Sequence, residues 1–241
     1  MLLKKFTNKE DDMKFAKIIF LLIFAFSPVF AAEAPKEAPK NEAESIASAI
    51  LGRYNGLKSF SAKYERVFTQ SSTGKKSHDN GTVMFIAPSD IRMDTFVGGK
   101  MIEQTFVDAE KTTLLYHEKK SAMVKKSSNE AAEYLAFLKG LDEVSKKFTI
   151  GDSTGTIEKA KKTGMVIRDG SKMLKLTPKT PIANVKYIFI TAINSEIDSV
   201  IIIDQLKNIN QFTFSDIKRD PALDKKGFKA VIPAGFEVSE F

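Results

Sequence analysis

Few side chains in this sequence have the types and spacings that catalyse reactions or hold metals. Its only histidines are His78, in a polar stretch, and His117, beside Glu118, Lys119 and Lys120. With no H-E-x-x-H pattern around either, both read as surface residues rather than ligands. The absence of cysteine removes disulfides, thiolate metal sites, a cysteine nucleophile and the acceptor for an N-terminal lipid anchor. Nothing reads as a nucleophile elbow, a glycine-rich phosphate loop or a dinucleotide fingerprint. The carboxylate pairs Asp11-Asp12 and Asp142-Glu143 are explained by solvated faces. The expectation is a protein that is not an enzyme, with no cofactor and no metal.

Charge narrows the partners further. Removing the five lysines and three acids of the first 31 residues from totals of 37 bases and 30 acids leaves a net charge of +5. That is compatible with simple solubility or with an anionic membrane surface. The lysines are scattered in short pairs, such as Lys75-Lys76 and Lys161-Lys162, without an aromatic-basic motif, so no nucleic-acid partner is expected.

Apolar patterning carries more information. The stretch Gly81–Phe96 reads as two strands around a corner at Pro88, which cannot donate to a sheet ladder. One face can carry Val83, Phe85, Ile91 and Met93, with Arg92 and Asp94 facing the other way. Such a face needs a core, a lipid or a partner to cover it. Before this stretch, Ile46, Ala49, Ile50, Arg53, Tyr54 and Leu57 mark one stripe of a helix over about 44–57, with Gly56 near its end. A strand over Phe60–Thr69 follows, then a polar tract, Ser71–Asn80, expected as a mobile hairpin loop. Strands are expected at Ile102–Val107, Thr112–His117 and Ala122–Lys125. A second helix, Ser128–Gly140, is expected to present Ala131, Tyr134, Leu135 and Leu138 and to end at Gly140. Further strands are expected at Lys147–Ile150, Met165–Arg168, Met173–Thr177, Lys186–Ala192, Asp198–Gln205, Asn210–Ile217 and Phe228–Ile232, with a hairpin at Asp169-Gly170.

This meander implies one antiparallel sheet, strongly curved or nearly closed, with two helices against it. Its 19 phenylalanines and eight methionines suit a concave apolar face that either packs shut or holds flexible acyl chains.

At the N-terminus, Ile18–Phe30 is a short apolar run after Lys14 and Lys17, with a small-residue site ending at Ala31. It is too short to span a bilayer and reads as a signal peptide over residues 1–31, with Met13 as a plausible true start. Residues 32–43, rich in Ala, Pro, Glu and Lys, are expected to be a disordered lead-in, and 44–241 a single domain. The expected location is the periplasm.

Several segments then match a known family in order. Leu57-Lys58-Ser59-Phe60-Ser61-Ala62 follows the first helix, and Gly81 precedes Pro88 and the triplet Ile91-Arg92-Met93. The hairpin Phe106-Val107-Asp108…Lys111-Thr112…Tyr116, the strand end Leu174-Lys175-Leu176-Thr177-Pro178-Lys179 and the closing Phe228–Val238 continue the series. Over about residues 44–238 the chain resembles the periplasmic outer-membrane lipoprotein carriers, the LolA family. The resemblance implies an α+β fold: an unclosed antiparallel β-barrel of about eleven strands under an α-helical lid. It implies a cavity for lipoprotein acyl chains, here lined by Val83, Phe85, Ile91, Met93, Ile50, Leu135 and Leu138, with Arg92 and Pro88 in lid or structural roles. It also implies a monomer that receives acylated lipoproteins from an ATP-driven inner-membrane release complex, leaving the outer-membrane acceptor unspecified. Another lipid or glycolipid is the alternative cargo. The chain departs from the family in carrying Ala87 where a basic residue precedes the proline and helps hold the lid, and in carrying Ala109 after Asp108.

Overall fold

A computed structural model describes residues 40–126, 136–182 and 184–240, all within the unit Glu37–Phe241. The signal-peptide segment, residues 32–39 of the lead-in, most of the expected Ser128–Gly140 helix and Leu135 lie outside the described residues.

The chain opens with helix α1 (Lys40–Leu51), which continues into a 3-10 turn at Gly52–Tyr54. Lys40–Ala43 is therefore helical rather than part of a disordered lead-in. The buried side is Ala47, Ile50, Leu51, Tyr54 and Leu57, while Ala49 is exposed. Positions 47, 50, 51 and 54 are themselves one 3.6-residue stripe, displaced by about one position from the expected one, which leaves Ala49 and Arg53 on the exposed flank.

Strands β1 (Ser59–Thr69), β2 (Lys76–Ile86), β3 (Asp90–Val97), β4 (Lys100–Val107), β5 (Lys111–Tyr116) and β6 (Ser121–Lys126) form an antiparallel meander. The tract Ser71–Asn80 is not a long loop. Its second half is the start of β2, paired residue for residue with β1 from Thr69↔Lys76 to Ser59↔Ile86. The strand is polar there because its side chains are mostly exposed. Arg66 makes a bidentate bond to Asp79 across the pair, at 2.9 and 2.7 Å, which suits an otherwise unmarked strand.

After residue 135, a 3-10 turn at Ala136–Lys139 runs into helix α2 (Gly140–Lys147), so Gly140 opens a helix instead of closing one. Strand β7 (Phe148–Asp152) follows, then helix α3 (Ile157–Lys162). Sequence reading missed α2 and α3 because both are short and charged. Strands β8 (Lys172–Pro178), β9 (Val185–Ile193), β10 (Glu196–Asp204) and β11 (Ile209–Arg219) complete a second meander. Met165–Arg168 is not a strand and Asp169-Gly170 is no hairpin: the segment packs over the sheet outside any ladder. Phe228–Ile232 is likewise not a strand, since Phe228 ends a 3-10 turn. The last strand, β12 (Glu237–Glu240), pairs parallel to β6.

The result is a sheet of twelve strands, one more than expected, in the order β12-β6-β5-β4-β3-β2-β1-β11-β10-β9-β8-β7. Every pair is antiparallel except β12 with β6, and the two edge strands do not pair, so the barrel is unclosed. Ile91 on β3 and Phe148 on β7 belong to one buried cluster although they lie seven strands apart. In a flat sheet that separation is about 34 Å. The sheet therefore curls, with this cluster on its concave side together with α1 and α2.

The convex side is covered by the chain itself. Ala160 of α3, Met165 and Ile167 lie on Met173, Ile201, Ile203 and Ile209. Strand β10 is thus buried on both faces from Ile197 to Ile203, which explains its nearly unbroken apolar run. Arg168 binds the buried Asp198, and Thr191 and Ser199 share a hydroxyl contact of 2.6 Å, so the polar residues of that strand are satisfied. Farther along, Phe236 and Ala230 cover Phe106, Leu115 and Ala122. No helix among the described residues is long and apolar enough to cross a membrane.

Gly81 sits at the centre of the β1–β2–β3 triplet, opposite Tyr64 and Thr95. A Cβ there would collide with the Asp94 carbonyl and the Tyr64 ring, whose hydroxyl is 2.7 Å from Thr95 Oγ1. Gly81→Ala is expected to destabilise the fold by about 1–3 kcal/mol through overpacking. Urea unfolding measures this, and an unchanged midpoint would show that Tyr64 does not lie over the glycine.

Candidate functional site

The concave face is the part of the molecule whose cover is least continuous with the sheet. Register pairs Val83 with Met93 and Phe85 with Ile91. Val83, Phe85 and Ile91 are buried and Met93 packs at their edge, as the alternation in Gly81–Phe96 requires. The same cluster contains Ile50 from α1 and Leu138 from the 3-10 turn before α2. Six of the seven apolar residues expected at a cavity are thus brought together; Leu135 lies outside the described residues.

What fills the concavity is an aromatic group that sequence reading largely missed. Phe137 lies edge-on to Tyr54 at 5.9 Å and to Phe60 at 6.4 Å, and is 6.0 Å from Phe214. Phe137 and Leu138 are both buried although they are neighbours in sequence. Neighbours project about 100° apart on an α-helix and about 120° apart on a 3-10 turn, so both are buried because the turn is enclosed on more than one side, with Tyr54, Phe60 and Phe214 around Phe137. A single stripe through Tyr134 and Leu138 therefore passes over Phe137.

A cleft of 380 Å³ adjoins this plug. Its walls include Tyr54, Leu57, Phe85, Ala87, Pro88 and Leu138, with Lys139 and Glu143 bringing charge. Pro88 therefore stands at the mouth between the helices and the β2–β3 turn. Ala87 stands beside it with no polar group to hold a helix.

Other residues hold the helical layer. Asn55, just after the first 3-10 turn, accepts the Leu141 backbone N–H at 2.8 Å and so caps α2 from outside its own segment. Gly140, at φ +81°, passes so close to Asn55 that no side chain fits there. Arg53 pairs with Glu196 at 3.2 Å and donates to the Asn194 carbonyl at 3.1 Å, both in the β9–β10 turn region. Tyr54 donates to the same Glu196 at 3.4 Å. Burial, with the negative charge of Glu196 adding to it, pushes the Tyr54 phenol up to about 12, so it stays a neutral donor at physiological pH. Arg92 has a different task. It pairs with Asp94 on the convex side, donates to the Gly227 carbonyl at 2.9 Å and lies over the Phe106 ring, tethering the C-terminal segment rather than the helices.

The candidates for chemistry do not assemble. His78 is exposed on β2, and His117 packs on Phe236 and bonds Gln104 at 3.0 Å. One signature escapes the sequence reading: Gly151-Asp152-Ser153-Thr154-Gly155 has G-x-S-x-G spacing and links β7 to α3. It is not an elbow. Ser153 has φ −125°, an unstrained backbone, and Asp152 is engaged by the Thr154 N–H and hydroxyl at 2.9 and 2.6 Å. No group of three or more metal-ligating side chains occurs among the described residues.

The Asn55 cap yields a direct test. Asn55→Ala should cost about 1 kcal/mol of stability and raise amide exchange selectively in residues 140–147. Uniform exchange changes across the sheet would contradict a local latch.

Against known proteins, the family model described as "Outer membrane lipoprotein carrier protein LolA" matches residues 55–231. No curated protein matches the chain. Among solved structures the chain is similar to an uncharacterized conserved protein from Thermus thermophilus, with 8% identity, TM-score 0.48, and 83% of this chain and 99% of that one covered. It is also similar to a LolA superfamily protein from Nitrosomonas europaea, with 9% identity, TM-score 0.43, and 78% and 97% covered. A putative outer membrane lipoprotein-sorting protein domain from Vibrio parahaemolyticus gives 11% identity, TM-score 0.41, and 77% and 97% covered. Identities this low leave the assignment to the family match, which spans well over half of the 241 residues. The chain belongs to the LolA family, a family of lipid and lipoprotein carriers rather than enzymes.

Proposed function

We propose that this protein is an extracytoplasmic carrier that takes the acyl chains of lipoproteins onto its concave face and moves them from the inner towards the outer membrane. The observation that carries the reading is the plug: Phe137 and Leu138 occupy an apolar concavity from a short 3-10 turn beside a 380 Å³ cleft. A carrier needs an apolar site that is satisfied when empty and can still be opened.

The magnitudes support exchange over simple storage. Each methylene moved out of water is worth about 0.8 kcal/mol, so a 16-carbon chain has a gross drive of over ten kcal/mol. Held at that strength, cargo would not be released. Displacing Phe137 and Leu138 forfeits about 1.5–3 kcal/mol each, and moving Tyr54 and Ile50 adds more. The cover thus offsets much of the drive and leaves a difference that a partner's binding energy can tip.

In this reading residues 1–31 export the chain, the donor is an ATP-driven inner-membrane release complex, and the acceptor lies at the outer membrane. Asn55 and Arg53, rather than a basic residue before Pro88, hold the helices. Both are weak exposed contacts, as a releasable cover requires.

Ile91→Glu places a carboxylate in the concave cluster at a cost of several kcal/mol to any apolar occupant. Protein isolated from its native compartment should carry acylated protein by mass spectrometry, and the Ile91→Glu variant should lose it while keeping its β-sheet circular dichroism. Free lipid in place of acylated protein would assign a different amphiphile as cargo. An unchanged yield of lipoprotein with the variant would overturn the reading.

A further inference from the structure

Two hairpin turns and the segment after α3 meet at one corner of the sheet. The Ser71 N–H of the β1–β2 turn donates to Asn208 Oδ1 of the β10–β11 turn at 2.9 Å. Lys76 Nζ lies 3.9 Å from where a Cβ would stand on Gly164, and the Val166 N–H donates to Gln211 Oε1 at 2.9 Å. These contacts hold three chain reversals side by side.

The corner has an unusual composition. Leu206 is 77% exposed at the tip of a tight turn, where polar residues or glycine are the rule, and Val166 is 62% exposed. Around them are the exposed Lys75, Lys76, Lys162 and Lys207, none of which makes an ion pair among the described residues. The lysines outnumber the acids nearby. Asp204 accepts the Asn208 N–H and Nδ2–H at 2.8 and 2.7 Å, and Glu158 and Asp169 both bind Lys161. The corner therefore presents net positive charge around protruding aliphatic side chains.

We propose that this corner docks the protein on an anionic phospholipid surface. The chemistry is complementary on both counts. Aliphatic tips enter the acyl–headgroup boundary while lysine stems lie along it with their ammonium groups among the phosphates. Each lysine held at an anionic surface contributes about fivefold in partitioning, and the attraction weakens as salt screens it. The corner is formed by residues that take no part in the concave cluster, so docking leaves the cargo face free.

Flotation with vesicles of phosphatidylglycerol and phosphatidylethanolamine, against phosphatidylcholine vesicles, tests this on residues 32–241, which contain the whole compact unit Glu37–Phe241. The wild type should float with the anionic vesicles and lose that binding at about 0.5 M salt, where the screening length falls to roughly 4 Å. Leu206→Glu should reduce flotation about tenfold or more, and the triple change K75E/K76E/K207E at least as much. Val231→Glu, an exposed apolar residue on the C-terminal segment, should have no effect. Residues 1–31, which the proposed function assigns to export, are left out of all proteins compared, so the apolar run 18–30 contributes nothing to flotation. Equal flotation of wild type, Leu206→Glu and the triple variant would overturn the proposal. So would equal binding to neutral vesicles. A dimer in solution that Leu206→Glu dissociates would assign the corner to a second copy and also overturn it.

Discussion

The structure depends on a competition for one apolar surface. A curled sheet presents Val83, Phe85 and Ile91 inward, and water cannot be left against them. The chain meets this constraint with Ala47, Ile50 and Leu51 of α1 and with Tyr54, Phe137 and Leu138 from the short 3-10 turns after α1 and before α2. In the proposed reading an acyl chain takes the same surface, so binding and folding draw on the same contacts and the size of the cover sets how readily one replaces the other.

The rest of the molecule makes that competition local. The convex face is committed: α3 and Met165–Arg168 close over β8–β11, and the C-terminal segment closes over β4–β6, tied down by Arg92 at Gly227. The bidentate Arg66–Asp79 pair fastens the distal half of the β1–β2 ribbon. Against this frame the helical layer is packed through the buried Leu51 and Val144 and held by Asn55 on Leu141, Arg53 on the β9–β10 turn and Lys179 on the Ser145 carbonyl at 2.6 Å. The polar contacts are partly exposed, so each adds modestly to that burial.

Much of the frame was legible in the sequence because alternation and turn chemistry are local signals. Gly81, Pro88 and the inward set Val83, Phe85, Ile91 and Met93 follow from strand periodicity and from what proline cannot do. The polar half of β2 was illegible because its partner residues, not its own composition, make it a strand: Asp79 is ordered by Arg66 thirteen residues earlier. Phe137 was hidden because its turn is enclosed on more than one side by Tyr54, Phe60 and Phe214, and a one-sided stripe reports only one buried face. The Asn55 cap is a contact across 86 residues, so no local pattern could announce it. The parallel β12 was lost in a segment whose apolar residues, Val231 and Ile232, are exposed and mimic a strand core.

The central claim is that acyl chains and the aromatic plug exclude each other. Placing 4-fluorophenylalanine at position 137 and following its fluorine resonance while a triacylated peptide is added tests this most directly. The account predicts that the resonance of a ring buried against Tyr54, Phe60 and Phe214 moves towards the solvent-exposed position, saturating with peptide binding. Peptide that binds while the resonance stays at its buried position would contradict it.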